Sequence, residues 1–359
     1  MVVSARIKIA LAVVLLSAAS VVWGTRLVRW LRVQYGQPAV FAVGGKKLEG
    51  TTVTPHLQCN IEEGSNVLWC ATFQLAWNEL CDLLGGPVQF QGAPEAVAIL
   101  NDRAVTRADV DEAHCVALAG YPTGGPDDIL NKIAEAMDRT FAGTARPHYL
   151  PERRSLDPGD WVAYAYLFKE LSFQSPFQRM PSGLTFAGRQ VQHFGIKQLS
   201  RSQPDQVKAA GQVSVYDYRS EDDFIIELKT RSPSDRVILA KIMPEPTLAE
   251  TIQAVQQRMT RSRPAGMRAS SHLFIPVVDF DLCRRYIELE QAGIALQQIA
   301  FKLNETGVVV QSEASSVRNG YQHLIFDKPF LIMLRKTQAR NPYFVLWVAN
   351  AELLVPFSQ

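Results

Sequence analysis

The spacing of hydrophobic and polar positions changes along the chain. In residues 65–86 the apolar positions recur three and four residues apart, which predicts a helix. Residues 127–141 show the same spacing and predict a second helix. Residues 247–259 predict a third, because Thr247 and Glu250 have the spacing of a capping box. Two of the three predicted helices therefore precede Trp161, and the third lies among the later segments.

From Trp161 onward the apolar segments are short and strand-like. The nearly continuous apolar run of residues 161–171 predicts a central strand that is buried on both faces. Further strands are predicted in QVSVYDYRSEDDFIIELKT, DRVILAKIMP, SHLFIPVVDF, IALQQIAFKLN, HLIFDKPFLIMLRK and NPYFVLWVANAELLV. The segment DLCRRYIELEQAG, residues 281–293, is predicted to be a helix between two of these strands. Early helices and many late strands predict an α+β fold with a mixed-to-antiparallel central sheet.

Composition and charge exclude several classes of function. The chain has 359 residues, 47% hydrophobic and 20% charged, with a formal net charge of +2, which gives no basic footprint for nucleic acid. The five cysteines show no C-x-x-C spacing and the six histidines no H-x-x-x-H spacing, so we predict no metal site and no cofactor. No G-x-S-x-G elbow, phosphate-binding loop or dinucleotide fingerprint occurs, and we predict that the protein is not an enzyme.

The N-terminal segment predicts export. Arg6 and Lys8 precede an uncharged apolar run, residues 9–23, with the length of a signal-peptide core. Arginines recur at every third position from Arg26, which is typical of a basic turn on a membrane surface. A cleaved signal peptide and an uncleaved membrane anchor both fit, and each places the protein outside the cytoplasm, extracellular, periplasmic or anchored by its N-terminus.

Three regions follow from these patterns. Residues 1–35 form the signal peptide or anchor with its basic juxtamembrane segment, and residues 36–64 a linker or first strand. Residues 65–359 form the main domain.

Several segments of the main domain resemble the serpin family. FDKPFLIMLRKTQARNPYFVLWVAN is similar to the serpin ending, and FKLNETG to the family's proximal hinge. VAYAYLFKELSFQSPF resembles a central-sheet strand followed by Phe-Lys-Gly and a Pro-Phe pair, and LFIPVVDFDL resembles the strand with Leu-Pro-x-Phe. NVLWCATFQLAWNEL resembles a helix start of the family. The matches follow the family's order from residue 65 to residue 357.

The resemblance implies a serpin-like fold, with a large central sheet, smaller sheets and several helices, some of them truncated. It implies a reactive-centre loop at about residues 307–326 that acts as bait for a trypsin-like serine protease and then inserts into the central sheet. The hinge and inserting residues implied are Glu305, Gly307, Val308, Val310, Ser312 and Ala314. Counting back from Pro329 puts the scissile residue at Arg318, whereas counting forward from Gly307 puts it at Tyr321.

Other positions depart from the family's pattern. Its strand asparagine falls on Tyr164 and its histidine before the hinge on Gln297, and these polar residues form the network beneath the point where the sheet opens. The loop is also slightly short, and Val308 and Val310 replace alanines. Two functions therefore stay open. One is a serine-type endopeptidase inhibitor, and the other is a non-inhibitory serpin-fold binding or structural module at the membrane or outside the cell.

Overall fold

A computed structural model describes most of the main domain. The described residues are 40–42, 46–143, 145, 147, 150–156, 159–170, 172–200, 202–290, 293–306 and 322–358. The predicted signal peptide or anchor, residues 1–35, lies outside them. Within the described part, no helix is long and apolar enough to cross a membrane.

Five strands form the sheet that we call the central sheet. Their order is β1 (Val40–Ala42), β15 (Val278–Arg285), β16 (Gly293–Leu303), β5 (Trp161–Glu170) and β4 (Cys115–Gly120). Neighbouring strands are antiparallel except β5 and β16, which are parallel. The predicted mixed central sheet is therefore confirmed, and the strand predicted at residues 161–171 lies inside it.

Eight strands form a second sheet. Their order is β13 (Ala265–Gly266), β10 (Val213–Ser220), β11 (Asp223–Lys229), β12 (Asp235–Lys241), β18 (Phe330–Lys336), β19 (Pro342–Val348), β3 (Asn66–Cys70) and β2 (Thr51–Thr54). All neighbours are antiparallel except β2 and β3. The strand pair predicted in QVSVYDYRSEDDFIIELKT is confirmed as β10 and β11.

The remaining strands lie in two smaller sheets. A four-stranded sheet has the order β17 (His323–Ile325), β14 (His272–Pro276), β9 (His193–Ile196) and β6 (Gln178–Arg179), with β14 and β17 parallel. β7 (Leu184–Phe186) and β8 (Arg189–Val191) form a hairpin.

The described part contains α1 (Ala71–Leu83), α2 (Glu95–Asn101), α3 (Ile129–Phe141), α4 (Pro204–Gly211) and α5 (Leu248–Arg261). Short 3-10 turns lie at Arg107–Asp109, Glu112–His114, Arg153–Ser155, Ile287–Leu289 and Ala351–Leu353. The helices predicted at residues 127–141 and 247–259 are confirmed as α3 and α5. Asp128 caps α3, and Thr247 and Glu250 form the predicted capping box of α5. With these helices and four sheets, the predicted α+β class is confirmed.

One predicted helix is wrong. The helix predicted at residues 281–293 is not formed. β15 extends through the first part of this segment to Arg285, and a 3-10 turn follows it. β15 has a strand on each side, so both of its edges are hydrogen-bonded in the sheet. Pairing with the two neighbouring strands therefore decides the structure of this segment, although the spacing of its apolar residues suits a helix.

Three other segments are divided differently from the prediction. The helix predicted over residues 65–86 begins only at Ala71, because Asn66–Cys70 form β3 between β2 and β19. The segments 271–280 and 323–336 were each predicted as one strand. Each contributes strands to two different sheets, with Pro276 ending β14 and Pro329 lying just before β18.

The core has two parts, one on each face of the central sheet. The inner face packs against α1 and the eight-stranded sheet, with Phe301 of β16 stacked on Phe344 of β19 at 4.4 Å between centroids. The outer face packs against α3, whose Ile133 and Met137 are fully buried. The centre of the sheet is therefore covered on both sides.

Candidate functional site

The boundary between β5 and β16, which we call the seam, lies at the middle of the central sheet. Ten residue pairs join the two strands, from Gly293 opposite Trp161 to Lys302 opposite Glu170. Parallel neighbours need a crossover connection, and here more than one hundred residues separate them in the chain. Beyond Leu303 the chain leaves β16 directly into the predicted hinge. One strand of the seam therefore continues into the segment that, by the resemblance to serpins, is the predicted reactive-centre loop.

Backbone hydrogen bonds and apolar contacts hold the seam. On the inner face the side chains along the seam include the fully buried Ala163, Ala165 and Ala295. These small side chains lie near the middle of the seam on its inner face. The polar side chains of β5 and β16 that face inward bind elsewhere, as described next.

Gln297 of β16 makes three hydrogen bonds on the inner face of the seam. Its Nε2 donates to the carbonyl oxygen of Cys70 at 3.2 Å and to Oγ1 of Thr72 at 3.1 Å. Its Oε1 accepts a hydrogen bond of 2.6 Å from the hydroxyl of Tyr286, which follows β15. A fully buried amide is costly unless it is hydrogen-bonded, and here it has three partners. Gln297 thus anchors β16 to the start of α1 and to the segment after β15.

Tyr164 does not belong to this network. In the register of the seam, Tyr164 lies opposite Leu296 and Ala165 lies opposite Gln297. Successive strand residues face opposite sides, so Ala165 faces the inner network and Tyr164 faces α3. Position 164, on which the family's asparagine falls, therefore lies on the face away from this network. The hydroxyl of Tyr164 is buried without a hydrogen-bond partner in the described structure, and burial raises its pKa.

Lys169, near the hinge end of β5, is anchored to the eight-stranded sheet. Its Nζ lies 2.8 Å from Oδ2 of Asp235, and both side chains are almost fully buried. Tyr343 donates a hydrogen bond of 2.7 Å to the other oxygen, Oδ1, of Asp235. Burial opposes ionisation of Asp235, but the hydrogen bonds and the charge of Lys169 outweigh it and lower the pKa of that carboxyl. Lys169 thus ties β5 to the eight-stranded sheet, and Gln297 ties β16 to the junction of β3 and α1.

The hinge is held at the four-stranded sheet. Phe177 donates its backbone N–H to the carbonyl oxygen of Glu305 at 3.1 Å. The carboxylate of Glu305 lies 3.4 Å from the guanidinium of Arg179 on β6, and its Oε2 is buried without a hydrogen bond in the described structure. Asn304 closes a tight turn by accepting a hydrogen bond of 2.9 Å from the backbone N–H of Thr306. Phe177 and Arg179 therefore hold Glu305 in place where the chain leaves β16.

The remaining predicted site residues fall outside the described part. These are Gly307, Val308, Val310, Ser312, Ala314, Arg318 and Tyr321. Their roles stay predictions. The described chain resumes at Gln322 and enters β17, the edge strand of the four-stranded sheet. The segment 307–321 thus connects the central sheet to the four-stranded sheet.

The cysteines and the acidic groups of the described residues are poorly suited to thiol or metal chemistry. All five cysteines are free, and burial raises the pKa of Cys70 to about 11 and those of Cys115 and Cys283 to about 12. Such thiols stay protonated at neutral pH and are poor nucleophiles. Within the described residues, no group of three or more histidine, cysteine or acidic side chains is arranged to hold a metal ion.

Sequence reasoning missed two features of the site, the Lys169–Asp235 pair and the partners of Gln297. A signal for the first was present, because a lysine at the end of an apolar run in a buried strand needs a buried anion. The partners of both side chains come from distant parts of the chain, and spacing alone does not identify them.

The chain is similar to several solved protein structures at low sequence identity. No family model and no curated protein matches the chain. Similar solved structures include a tumour suppressing serpin, at 13% identity and a TM-score of 0.49, with 79% of this chain and 92% of that chain covered. Native protease nexin-1 with heparin gives 12% identity and a TM-score of 0.44, covering 80% and 92%. Serpin48 of the insect Tenebrio molitor gives 11% and 0.44, also covering 80% and 92%. Identities and TM-scores of this size establish neither a family nor an activity for the chain.

Proposed function

We propose that the protein is a serpin-like inhibitor of serine endopeptidases, with the segment 307–321 presented as bait. After cleavage, the part of this segment that follows the hinge enters the seam between β5 and β16 as a new strand. The observation that carries the proposal is the seam itself. It is a parallel pair at the centre of the sheet, each strand has its own buried polar anchor, and one strand continues directly into the hinge.

The length of the segment supports insertion. β5 has 10 residues and β16 has 11. A strand inserted along β5 therefore needs about 10 residues, or roughly 33 Å at 3.3 Å per residue. Cleavage after Arg318 leaves residues 308–318 on the hinge side, which is enough for that span. Running back from the end of β16, the new strand is antiparallel to both neighbours and pairs with both.

The proposal also includes the class of protease that is inhibited and the compartment in which the inhibitor acts. Arg318 is bait for a trypsin-like protease, whose acidic pocket accepts a basic side chain. If Tyr321 is the scissile residue, a protease with an apolar pocket is expected instead. The N-terminal segment places the inhibitor outside the cytoplasm, either free after cleavage of a signal peptide or held at a membrane.

Incubation with a panel of serine proteases tests the proposal. Inhibition predicts a covalent complex that survives denaturing electrophoresis, at the summed mass of protease and cleaved chain. Arg318→Ala should abolish the complex with trypsin-like proteases, and Tyr321→Ala should leave it unchanged if Arg318 is the bait. A protease whose catalytic serine is replaced by alanine should give no covalent band. Simple nicking of the segment by all active proteases, with full protease activity retained, would reject inhibition.

A static scaffold is the second candidate, and the position of α3 favours it. On the outer face α3 packs on β4 and on Tyr166 of β5, and shares one buried cluster with Tyr164 of β5 and Leu296 of β16. A strand that enters the seam along its full length must displace these contacts. In the scaffold alternative the sheet stays closed, and the protein serves as a binding or structural module outside the cell or at the membrane. Nicking without a covalent complex, combined with unchanged thermal stability, supports that alternative.

A further inference from the structure

Two imidazole rings lie face to face at the edge of the four-stranded sheet. His272 on β14 and His323 on β17 occupy paired positions of these parallel strands. Their ring centroids are 5.2 Å apart, and the ring planes differ by 10°. His323 is exposed and His272 is half-buried. Neither residue takes part in the seam or the hinge, and the two rings lie side by side at the edge strand of this sheet.

The tautomer of His272 is set by the backbone. Its Nδ1 hydrogen-bonds to the carbonyl oxygen of Lys197. A carbonyl oxygen can only accept, so Nδ1 carries the proton and Nε2 keeps its lone pair. Metal-binding histidines usually donate their second ring N–H to a carbonyl or carboxylate in this way, which fixes the ring and leaves the other nitrogen as the ligand.

The backbone around both histidines is held in place. His272 donates its N–H to the carbonyl oxygen of Gln322 at 3.0 Å, and Gln322 donates its own to Oγ of Ser271 at 3.1 Å. The N–H of His323 lies 3.2 Å from the hydroxyl of Tyr218, to which it donates. Because the backbone positions are fixed, only side-chain rotations remain to bring the ring nitrogens together.

We propose that His272 and His323 form a binding site for a divalent transition-metal ion of the class of Zn²⁺ and Cu²⁺. Imidazole nitrogen suits these ions. With metal–nitrogen bonds of about 2.0–2.1 Å, the two ligand nitrogens must lie about 3–3.5 Å apart, which a rotation of the exposed His323 ring provides. Water completes the coordination. The ion joins β17 to β14 at the point where the chain re-enters the fold, and its binding does not depend on whether the protein inhibits proteases.

Titration of the full chain with Zn²⁺ at pH 7.5, followed by calorimetry, tests the site. One ion per chain is expected. His323→Gln should weaken binding at least tenfold, because one of the two protein ligands is lost. His323 is exposed, so the variant should keep the fold, which circular dichroism checks. His114→Gln, at a partly exposed histidine on a separate 3-10 turn, is the matched control and should bind as the unchanged protein does.

The ligands can be counted directly with Cu²⁺. Electron paramagnetic resonance should show two coordinated imidazole nitrogens in the unchanged protein and one in His323→Gln. The proposal is overturned by the absence of one-to-one binding at pH 7.5, by equal affinity in His323→Gln, or by a single nitrogen in the unchanged protein.

Discussion

Gly293 lies directly against the ring of Trp161 across the seam. A Cβ atom on Gly293 would come within 2.0 Å of the Trp161 ring and 2.4 Å of the Trp161 carbonyl oxygen. Trp161 is buried, and its ring packs edge-on against Trp77 of α1 at 6.4 Å between centroids. The end of the seam farthest from the hinge is therefore closed by a backbone-to-ring contact that only glycine allows.

Gly293→Ala should destabilise the protein. The added methyl group must displace both a packed ring and a backbone carbonyl, and overpacking of this kind costs about 1–3 kcal/mol and occasionally more. Urea unfolding should show the loss as a lower midpoint. Gly266→Ala is the control, because it also lies in a strand and a Cβ there meets nothing within 4 Å. Similar midpoints for the two variants would contradict the prediction.

Lys169→Met should be strongly destabilising. It leaves the buried carboxylate of Asp235 without its cation, and removing one partner of a buried ion pair costs about 3–5 kcal/mol. Lys169→Met combined with Asp235→Asn should recover most of the loss, because the amide oxygen still accepts from Tyr343 and no charge stays buried. Lys132→Met breaks an exposed pair with Asp127 and should change stability by at most about 1 kcal/mol. A double variant as unstable as Lys169→Met would exclude the charge as the cause.

Local signals in the sequence predicted the elements whose reasons are local. The capping residues Thr247 and Glu250 fix where α5 begins, and the apolar run from Trp161 is a strand because both of its faces are covered. Residues 281–293 could not be assigned in the same way. Their apolar positions suit a helix, and only the presence of β1 and β16 on either side makes the first part a strand.

The site was predictable in outline and not in its contacts. The hinge residue Glu305 was found from its motif, but its clasp by Phe177 and Arg179 depends on how two sheets meet. The pairing of Lys169 with Asp235 and of His272 with His323 likewise joins segments far apart in the chain. The side-chain chemistry can be read from the sequence, whereas the proximity is a product of the fold.

The stability of the protein should fall when the pH drops from 7 to 5. Burial lowers the pKa values of His56, His114 and His193 in the folded state. An unfolded histidine titrates near 6.5, so below about pH 6.5 the unfolded chain binds protons that the folded chain does not. The loss begins there and levels off once the pH is below the folded-state pKa values. Urea unfolding at several pH values measures it.

His193 allows this pH dependence to be assigned to a residue. It is almost fully buried beside Phe274, and its Nδ1 has no hydrogen-bond partner in the described structure. His193→Phe should reduce the difference in stability between pH 7 and pH 5. The carboxylate of Asp235, whose pKa is lowered, loses its contribution only below about pH 4, where Asp titrates. An unchanged difference in His193→Phe would exclude His193 as a source.

Cleavage of the segment 307–321 should raise the melting temperature if the segment inserts into the seam. In a strand that alternates faces, the buried set is Val308, Val310, Ser312 and Ala314. Burying each of the two valines contributes about 1.5–3 kcal/mol, and the new strand gains hydrogen bonds to both neighbours. Calorimetry before and after limited proteolysis measures the change.

Val308→Arg places a charge against the buried face, where desolvation is costly. This variant should still be cut, but its melting temperature should not rise. A melting temperature that does not change on cleavage of the unaltered protein means that no strand enters between β5 and β16, and the protein is then a static scaffold.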